Sequence, residues 1–461
     1  MTEKKDFQDF QDFAKREITA ATAKQEITTA TAKQENTTSP AKREMTVFAK
    51  EHENDDTARL LLSAARYPSI DILAAVQQIE GRRTAREKWP SLLQYDEFVY
   101  PPRLNREQAS SEAAALHKAV LCFLRFNRLR QQSEDLAKPL HIADLTGGMG
   151  IDAFALAEWK AEEPAEVEVD YVEQNAELCG LARSNAKALG LSNVRVHCAD
   201  SLEWLRQQDR RFDLIFVDPA RRDIQGRKVA AFEDCTPDIL AHQELLLSKG
   251  KEILVKASPM IDLSLAASQL RNVSDIYVVA VQGECKEVLF RCGSPEGAPL
   301  IHCHHLHHGM VDDFVFTRQD EDEAQATYAS EMKNYLYEPN AALMKAGPFK
   351  MLSQTEKVDK LARNTHLYTS DRFIQHFPGR IFCVLKEIKL TRKEVQKCIP
   401  DGKAHVVTRN YPLAAAELQR QLGLKEGGEL FVIATTVGSR KTGFVCCLPE
   451  NYQQFLEEIN K

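Results

Sequence analysis

Apolar positions fall into two rhythms along this chain. Between residues 138 and 310, short apolar runs alternate with stretches of helical spacing. The runs predict strands at 140–145, 166–173, 194–198, 212–217, 252–256 and 274–281, with 288–290 and 300–302 finishing the sheet. The intervening spacing predicts helices at 151–159, 174–190, 201–208, 234–248 and 262–271. Apolar strands alternating with helices specify an α/β fold with a mostly parallel, doubly wound sheet. Such a sheet binds ligands beyond the carboxyl ends of its strands.

The flanks have different patterns. Residues 47–137 carry helical spacing at 56–64, 69–79 and 108–121, with Ser69 after Pro68 placed as an N-cap and Ser110 or Ser111 near another. This helical N-terminal segment is expected to cap the sheet domain. A sharper alternative has its last helix roof a ligand site through Ser111, Glu112 or Lys118. Residues 1–46 hold an Asp-Phe-Gln repeat from Asp6 and a nine-residue repeat from Ala14. Nine residues make about 2.5 helical turns, so no continuous apolar stripe forms and a disordered tail is expected. Residues 311–376 are mixed, with Tyr335–Met344 leading into a helix. Residues 377–461 read as a separate α+β module, with strands at 381–386, 404–408, 429–435 and 442–448 and helices at 391–398 and 412–421.

Composition narrows the class. A chain of 461 residues holds about two to four domains. Its net charge of -7 offers nucleic acid no global attraction, so any such contact needs a local patch. No apolar run reaches about 18 residues, so no membrane span is expected. The eleven cysteines lack a CxxC pair, which fits reduced thiols in a cytoplasm. The expected location is therefore cytoplasmic.

The chemistry centres on His141–Asp152, where an apolar run ends at Asp144, breaks into Thr146-Gly147-Gly148-Met149-Gly150 and restarts as a helix. The glycines permit positive φ and close approach of a ligand. Acidic residues then end successive strands: Asp144, Glu173, Asp200 (followed by Ser201) and Asp218 (followed by Pro219). A carboxylate after the second strand can accept both hydroxyls of a ribose, and one after the third can accept from the amine of an adenine. A ring of carboxylates suits a cationic ligand better than a phosphate.

This set resembles the class I S-adenosylmethionine-dependent methyltransferases, with Asp144–Gly150 as the first motif and Asp218-Pro219 as the fourth. Thr146 stands where that family usually has its first glycine. The gap from Asp144 to Glu173 exceeds the roughly 20 residues of a compact dinucleotide fold, against a plain dehydrogenase. Glu338–Gly347, Asn364–Thr369, Phe377–Arg380, Arg409–Pro412 and Gly427–Thr435 are similar to a subgroup with a helical N-terminal segment, a Rossmann-like methyltransferase domain, a small ferredoxin-like domain and a C-terminal THUMP-like domain. The resemblance covers roughly residue 48 onward. It implies domains at 47–137, 138–310, 311–376 and 377–461 after a tail at 1–46. It also implies S-adenosylmethionine as cofactor, held by Asp144, Thr146, Gly147, Gly148, Gly150, Glu173, Asp200, Ser201, Asp218 and Pro219. Because THUMP domains deliver tRNA or rRNA to modification enzymes, the analogy points to RNA as partner.

For the acceptor, Asp218 is the candidate to hold or deprotonate it, and Lys256 to orient it. Arg221 and Arg222 replace the aromatic residue of amino-directed nucleic-acid enzymes and could grip a phosphate. The strand ending at Lys256 has no nucleophilic cysteine after it, and Cys235 lies at an expected helix start, so carbon-5 chemistry is disfavoured in favour of nitrogen or oxygen. Residues 377–461 hold 13 basic and 9 acidic residues, net +4, with Arg380, Arg409, Tyr411, Arg440 and Lys441 as a candidate RNA-facing patch. The tract His302-Cys-His-His-Leu-His-His308 alternates across a strand and cannot close a metal site alone, so no metal is expected. Two alternatives stay open: a protein or small-molecule methyltransferase, and a non-catalytic RNA-binding scaffold with a relict fold. Oligomeric state is not legible.

Overall fold

The computed structural model describes residues 40–131, 138–158, 167–221, 232–294 and 297–459. The repeat tail up to residue 39, Arg222 and residues 159–166 lie outside the described residues. The chain divides into two compact units, Met1–Val281 with Lys286–Pro299 and Leu306–Val311, and Gln282–Cys285 with Leu300–His305 and Asp312–Lys461.

The N-terminal helices are α1 (Pro40–Glu51), α2 (Thr57–Leu62), α3 (Ile72–Lys88), α4 (Arg103–Gln108) and α5 (Glu112–Gln131). Asp71, not Ser69, caps α3 by accepting the Ala74 amide at 3.1 Å, while the Ser69 hydroxyl donates to Glu44 at 3.0 Å. A carboxylate wins this cap because it takes the amide and also favours the positive helix end. Phe48, Leu60, Ile72, Val76 and Ile79 bury a small core between α1, α2 and α3.

The large sheet contains β1 (Leu140–Asp144), β2 (Val167–Glu173), β3 (Val194–Cys198), β4 (Phe212–Val217), β5 (Gly250–Ala257), β6 (Val273–Val281), β7 (Glu284–Cys292), β8 (Leu300–His307) and β9 (Met310–Phe316). Their order is β9-β8-β6-β7-β5-β4-β1-β2-β3, and β8 and β9 hold residues assigned to both units. Strands β3, β2, β1, β4 and β5 pair in parallel, whereas β5 pairs β7 antiparallel. The order runs outward from β1 in both directions, which opens a crevice at the carboxyl ends of β1 and β4. Helix α6 (Ile151–Ala157) follows β1 and packs on α5, their shared core including Phe123, Phe126, Phe154 and Leu156.

One expected helix is mostly absent. Of 234–248, only Gln243–Lys249 is an α-helix, while Cys235–Thr236 pairs antiparallel with Ala220–Arg221. Pro237 explains the difference, since it disfavours helix in the residue before it and lacks an amide to continue one.

The second unit carries a seven-stranded sheet built from β10 (Tyr335–Pro339), β11 (Asp359–Ala362), β12 (Thr365–Ser370), β13 (Gly379–Ile388), β14 (His405–Thr408), β15 (Leu430–Val437) and β16 (Arg440–Cys447). The order is β11-β12-β10-β13-β16-β15-β14. Tyr335–Pro339 is a strand, and the helix expected after it begins at Ala341 behind the Asn340 cap. Two apolar clusters cover the sheet's two faces, one around Val395, Leu418 and Val445 and one around Leu336, Phe382 and Phe444. No helix among the described residues is long and apolar enough to cross a membrane.

Candidate active site

The loop after β1 is shaped by what its glycines exclude. A Cβ on Gly147 would fall 2.2 Å from the Tyr171 ring, and one on Gly150 would fall 2.6 Å from Phe154. Gly148 and Gly150 adopt φ of 53° and 89°, conformations that favour glycine. The loop is held from β2: the Tyr171 hydroxyl donates to the Gly148 carbonyl at 2.7 Å, and the Gly148 amide donates to Glu173 Oε2 at 3.0 Å. Space above Gly148 is open, with only the Thr146 carbonyl within 4 Å of a hypothetical Cβ. Tyr171 is a functional neighbour that strand pattern alone could not single out, because it reads as one more apolar position.

Thr146 ties the first acidic position to the fourth. Asp144 Oδ1 accepts the Thr146 amide at 3.0 Å, and the Thr146 hydroxyl accepts the Asp218 amide at 2.7 Å. Asp144 is 1% exposed, and burial pushes its carboxyl from an ordinary 3.8 up to about 8. The Thr146 amide opposes that rise, while Asp152, Asp218 and Glu173 add to it.

Glu173 accepts the Asn175 amide at 2.8 Å as well as the Gly148 amide, leaving lone pairs for a ligand. Asp200 caps helix Ser201–Arg206 by taking the Leu202 and Glu203 amides on Oδ1, and its other oxygen is uncommitted to the cap. It is exposed, with Ser201 behind it as the first helical residue. Asp218 Oδ2 accepts from Lys256 Nζ at 2.5 Å, joining the ends of β4 and β5, and Pro219 follows half-buried. Burial alone would lower the Lys256 pKa, but Asp218, then Glu287 and Asp152, outweigh it and raise the pKa.

Beneath the loop sits a charged cluster that long sequence separation hid. Lys118 on α5 is 2% exposed and donates to both Glu287 oxygens at 2.7 and 2.8 Å. It also lies 3.1 Å from Asp152 in α6, whose other oxygen accepts the Ser110 hydroxyl at 2.8 Å. Burial opposes ionisation of Asp152, but Lys118 and Lys256 outweigh it and hold its pKa below the ordinary range. Of the three roofing candidates, Ser111 accepts the Ala114 amide and Glu112 accepts the Ser91 amide, so both have local structural roles.

Arg221 has its backbone paired with Cys235, so Cys235 lies in a short strand and not at the expected helix start. Cys235 is 7% exposed. In the second unit the basic residues form two groups. Arg380 and Arg409 both pair with Glu338, at 2.5 and 2.6 Å, and that carboxylate is buried while the two guanidinium groups are about half exposed. Arg440 pairs with Glu387, next to exposed Lys441. Glu387 lies seven residues along β13 from Arg380, roughly 20 Å. Tyr411 packs against the apolar core.

Known proteins share this architecture. A ferredoxin-like domain matches residues 335–378, and a THUMP domain-like module matches residues 379–447. A crystal structure from Porphyromonas gingivalis W83, provisionally named a methyltransferase, aligns with a TM-score of 0.74 at 31% identity, covering 88% of this chain and 98% of that one. An uncharacterized S-adenosylmethionine-dependent methyltransferase of Mycobacterium tuberculosis is 23% identical over 274 residues, 58% of this chain and 72% of its own length. The tRNA1(Val) (adenine(37)-N6)-methyltransferase of Escherichia coli O157:H7 is 36% identical over 77 residues, 16% of this chain and 30% of that enzyme. With a 31%-identical relative covered almost end to end, and with both C-terminal modules matched, the chain belongs to the S-adenosylmethionine-dependent methyltransferases that carry a ferredoxin-like and a THUMP-like domain.

Proposed function

We propose that this methyltransferase modifies a nitrogen or oxygen atom of an RNA, either tRNA or rRNA. The observation that carries the chemistry is the Lys256–Asp218 pair, 2.5 Å apart, whose backbone is tied to the glycine loop through Thr146. When bound, S-adenosylmethionine supplies an electrophilic methyl group. The chain would hold it with Glu173 on the ribose, Asp200 and Ser201 at the adenine, and Asp144, Thr146, Gly147, Gly148, Gly150 and Pro219 around the remainder. The uncommitted lone pairs of Glu173 and Asp200 and the open face of Gly148 fit that donor set. Asp218 accepts from or deprotonates the acceptor group, and the Lys256 ammonium fixes the carboxylate's orientation.

RNA is favoured over other acceptors by the THUMP-like module and by the arginines presented on buried Glu338. A single carboxylate under two guanidinium groups leaves one positive charge and a preset fork for a phosphate. Arg221, Arg222, Arg440 and Lys441 are proposed as further phosphate contacts. Among its relatives, the tRNA adenine enzyme is named for an RNA substrate and is matched over a short segment. The cytoplasm, where such RNA is processed, is the proposed location.

The test is transfer of a tritiated methyl group to total tRNA and rRNA by the full chain, alongside the Asp218→Ala variant. Label in an RNA fraction, lost in the variant, supports the reading. Label confined to protein or to small molecules, from a chain that binds S-adenosylhomocysteine, would overturn it.

A further inference from the structure

The hairpin at the terminal edge of the large sheet gathers groups that the methyltransferase site does not use. Strand β8 contributes His302 and His304, two residues apart and therefore on one face. Their rings stand 5.8 Å apart between centroids. The turn to β9 is two residues long, His308–Gly309, both at positive φ (47° and 72°), as a tight hairpin requires. That loop length sets His304 opposite Asp313, and the structure places His304 Nε2 3.1 Å from Asp313 Oδ1. The side chains of His304 and Asp313 are 5% and 11% exposed.

The contact between them is not a hydrogen bond. Asp313 Oδ1 is buried and accepts none from any described residue. A buried carboxylate oxygen that meets an imidazole at 3.1 Å without a hydrogen bond is costly and needs an explanation. A shared cation supplies one. Two ligands each about 2.0–2.2 Å from one ion, at octahedral to tetrahedral angles, stand roughly 3.0–3.4 Å apart. The observed 3.1 Å falls in that range, and ligand atoms of His302, His304 and Asp313 all lie within 4.8 Å of one another.

We propose that His302, His304 and Asp313 form a binding site for a divalent first-row transition metal, of which Zn2+ is the representative. Two imidazoles and one carboxylate on one face leave further coordination positions open. The third ligand comes from the following strand, which is what the histidine tract lacks by itself. The ion would staple β8 to β9, and β9 is the terminal strand of its sheet. The other face of the hairpin does not compete on equal terms. There His305 already has both ring nitrogens engaged, by Asp312 Oδ2 at 3.3 Å and by the Gly283 amide at 3.0 Å. Cys303, between the two histidines in sequence, falls on the opposite face of the strand and is outside this ligand set.

The experiment is calorimetric titration of ZnCl2 into the full chain, purified without a histidine tag and stripped with chelator. Wild type is compared with His304→Ala, Asp313→Asn and His305→Ala, each checked for folding by circular dichroism. Saturable binding of one equivalent, lost in His304→Ala and Asp313→Asn and kept in His305→Ala, supports the site. Cobalt in place of zinc should give visible ligand-field bands that vanish in the same two variants. Asp313→Asn preserves shape, so it decides the matter if His304→Ala fails to fold. The proposal is overturned by a folded wild type with no saturable binding, by binding retained in Asp313→Asn, or by binding lost in His305→Ala alone.

Discussion

The hydroxyl of Thr146 accepts the backbone amide of Asp218 across 72 residues of sequence, at 2.7 Å. The residue that departs from the family's usual glycine therefore joins the glycine loop to the segment proposed to face the acceptor. Thr146→Val keeps the shape and removes the acceptor oxygen, leaving a half-buried amide without its partner. The expected result is about tenfold weaker S-adenosylhomocysteine binding, about 1.4 kcal/mol, with Thr146→Ser close to wild type in the same titration.

Gly147→Ala should damage stability more than its size suggests. The new methyl would meet the Tyr171 ring at 2.2 Å, and moving the ring breaks its bond to the Gly148 carbonyl. Overpacking of this kind costs about 1–3 kcal/mol, readable as a lower urea midpoint. Tyr171→Phe, which loses only the hydrogen bond, should cost about 1 kcal/mol.

Asp144 should impose a pH slope on stability. Its carboxyl titrates near 8 when folded and near 3.8 in an unfolded chain, so the native state binds the extra proton between those values. Stability from this group is full below about pH 4, falls as pH rises towards 8, and is flat above. Asp144→Asn should flatten that part of the profile. Thermal midpoints of both proteins from pH 5 to 9 would check it, and parallel slopes would contradict the burial argument.

Lys118 is shared by two carboxylates, Glu287 and Asp152, in a dry place. Lys118→Met leaves Glu287 and Asp152 without their cation, an expected loss of about 3–5 kcal/mol in chemical unfolding. Lys118→Met combined with Glu287→Leu should recover part of that loss, because the double change removes the stranded charge as well.

Lys256→Met separates binding from chemistry. S-adenosylhomocysteine affinity should stay within about threefold of wild type, while methyl transfer falls on the order of a hundredfold or more. A parallel collapse of binding would mean that Lys256 supports the loop and not the acceptor.

Reading the sequence located β1 through β4 closely because each is a short, apolar-rich run ended by a polar turn; β1, β2 and β4 are largely buried, while the edge strand β3 keeps its alternating Val194, Val196 pattern. The hairpin of β8 and β9 was under-read for a different reason: five histidines from His302 to His308 break the apolar run, so only the first three residues of β8 look like strand. Glycines and carboxylates of the candidate site announce themselves locally. Lys118 and Glu287 do not, since 169 residues separate them and only the folded sheet brings them to contact.

The fit of Tyr171 over Gly147 also constrains how this chain can diverge. Neither position can change size by itself without opening a void or forcing a clash, whereas Gly148 in the same loop faces no such neighbour. In any collection of relatives the two should therefore vary as a couple: glycine wherever the ring persists, and a larger residue at 147 only in lineages that have already given the ring up.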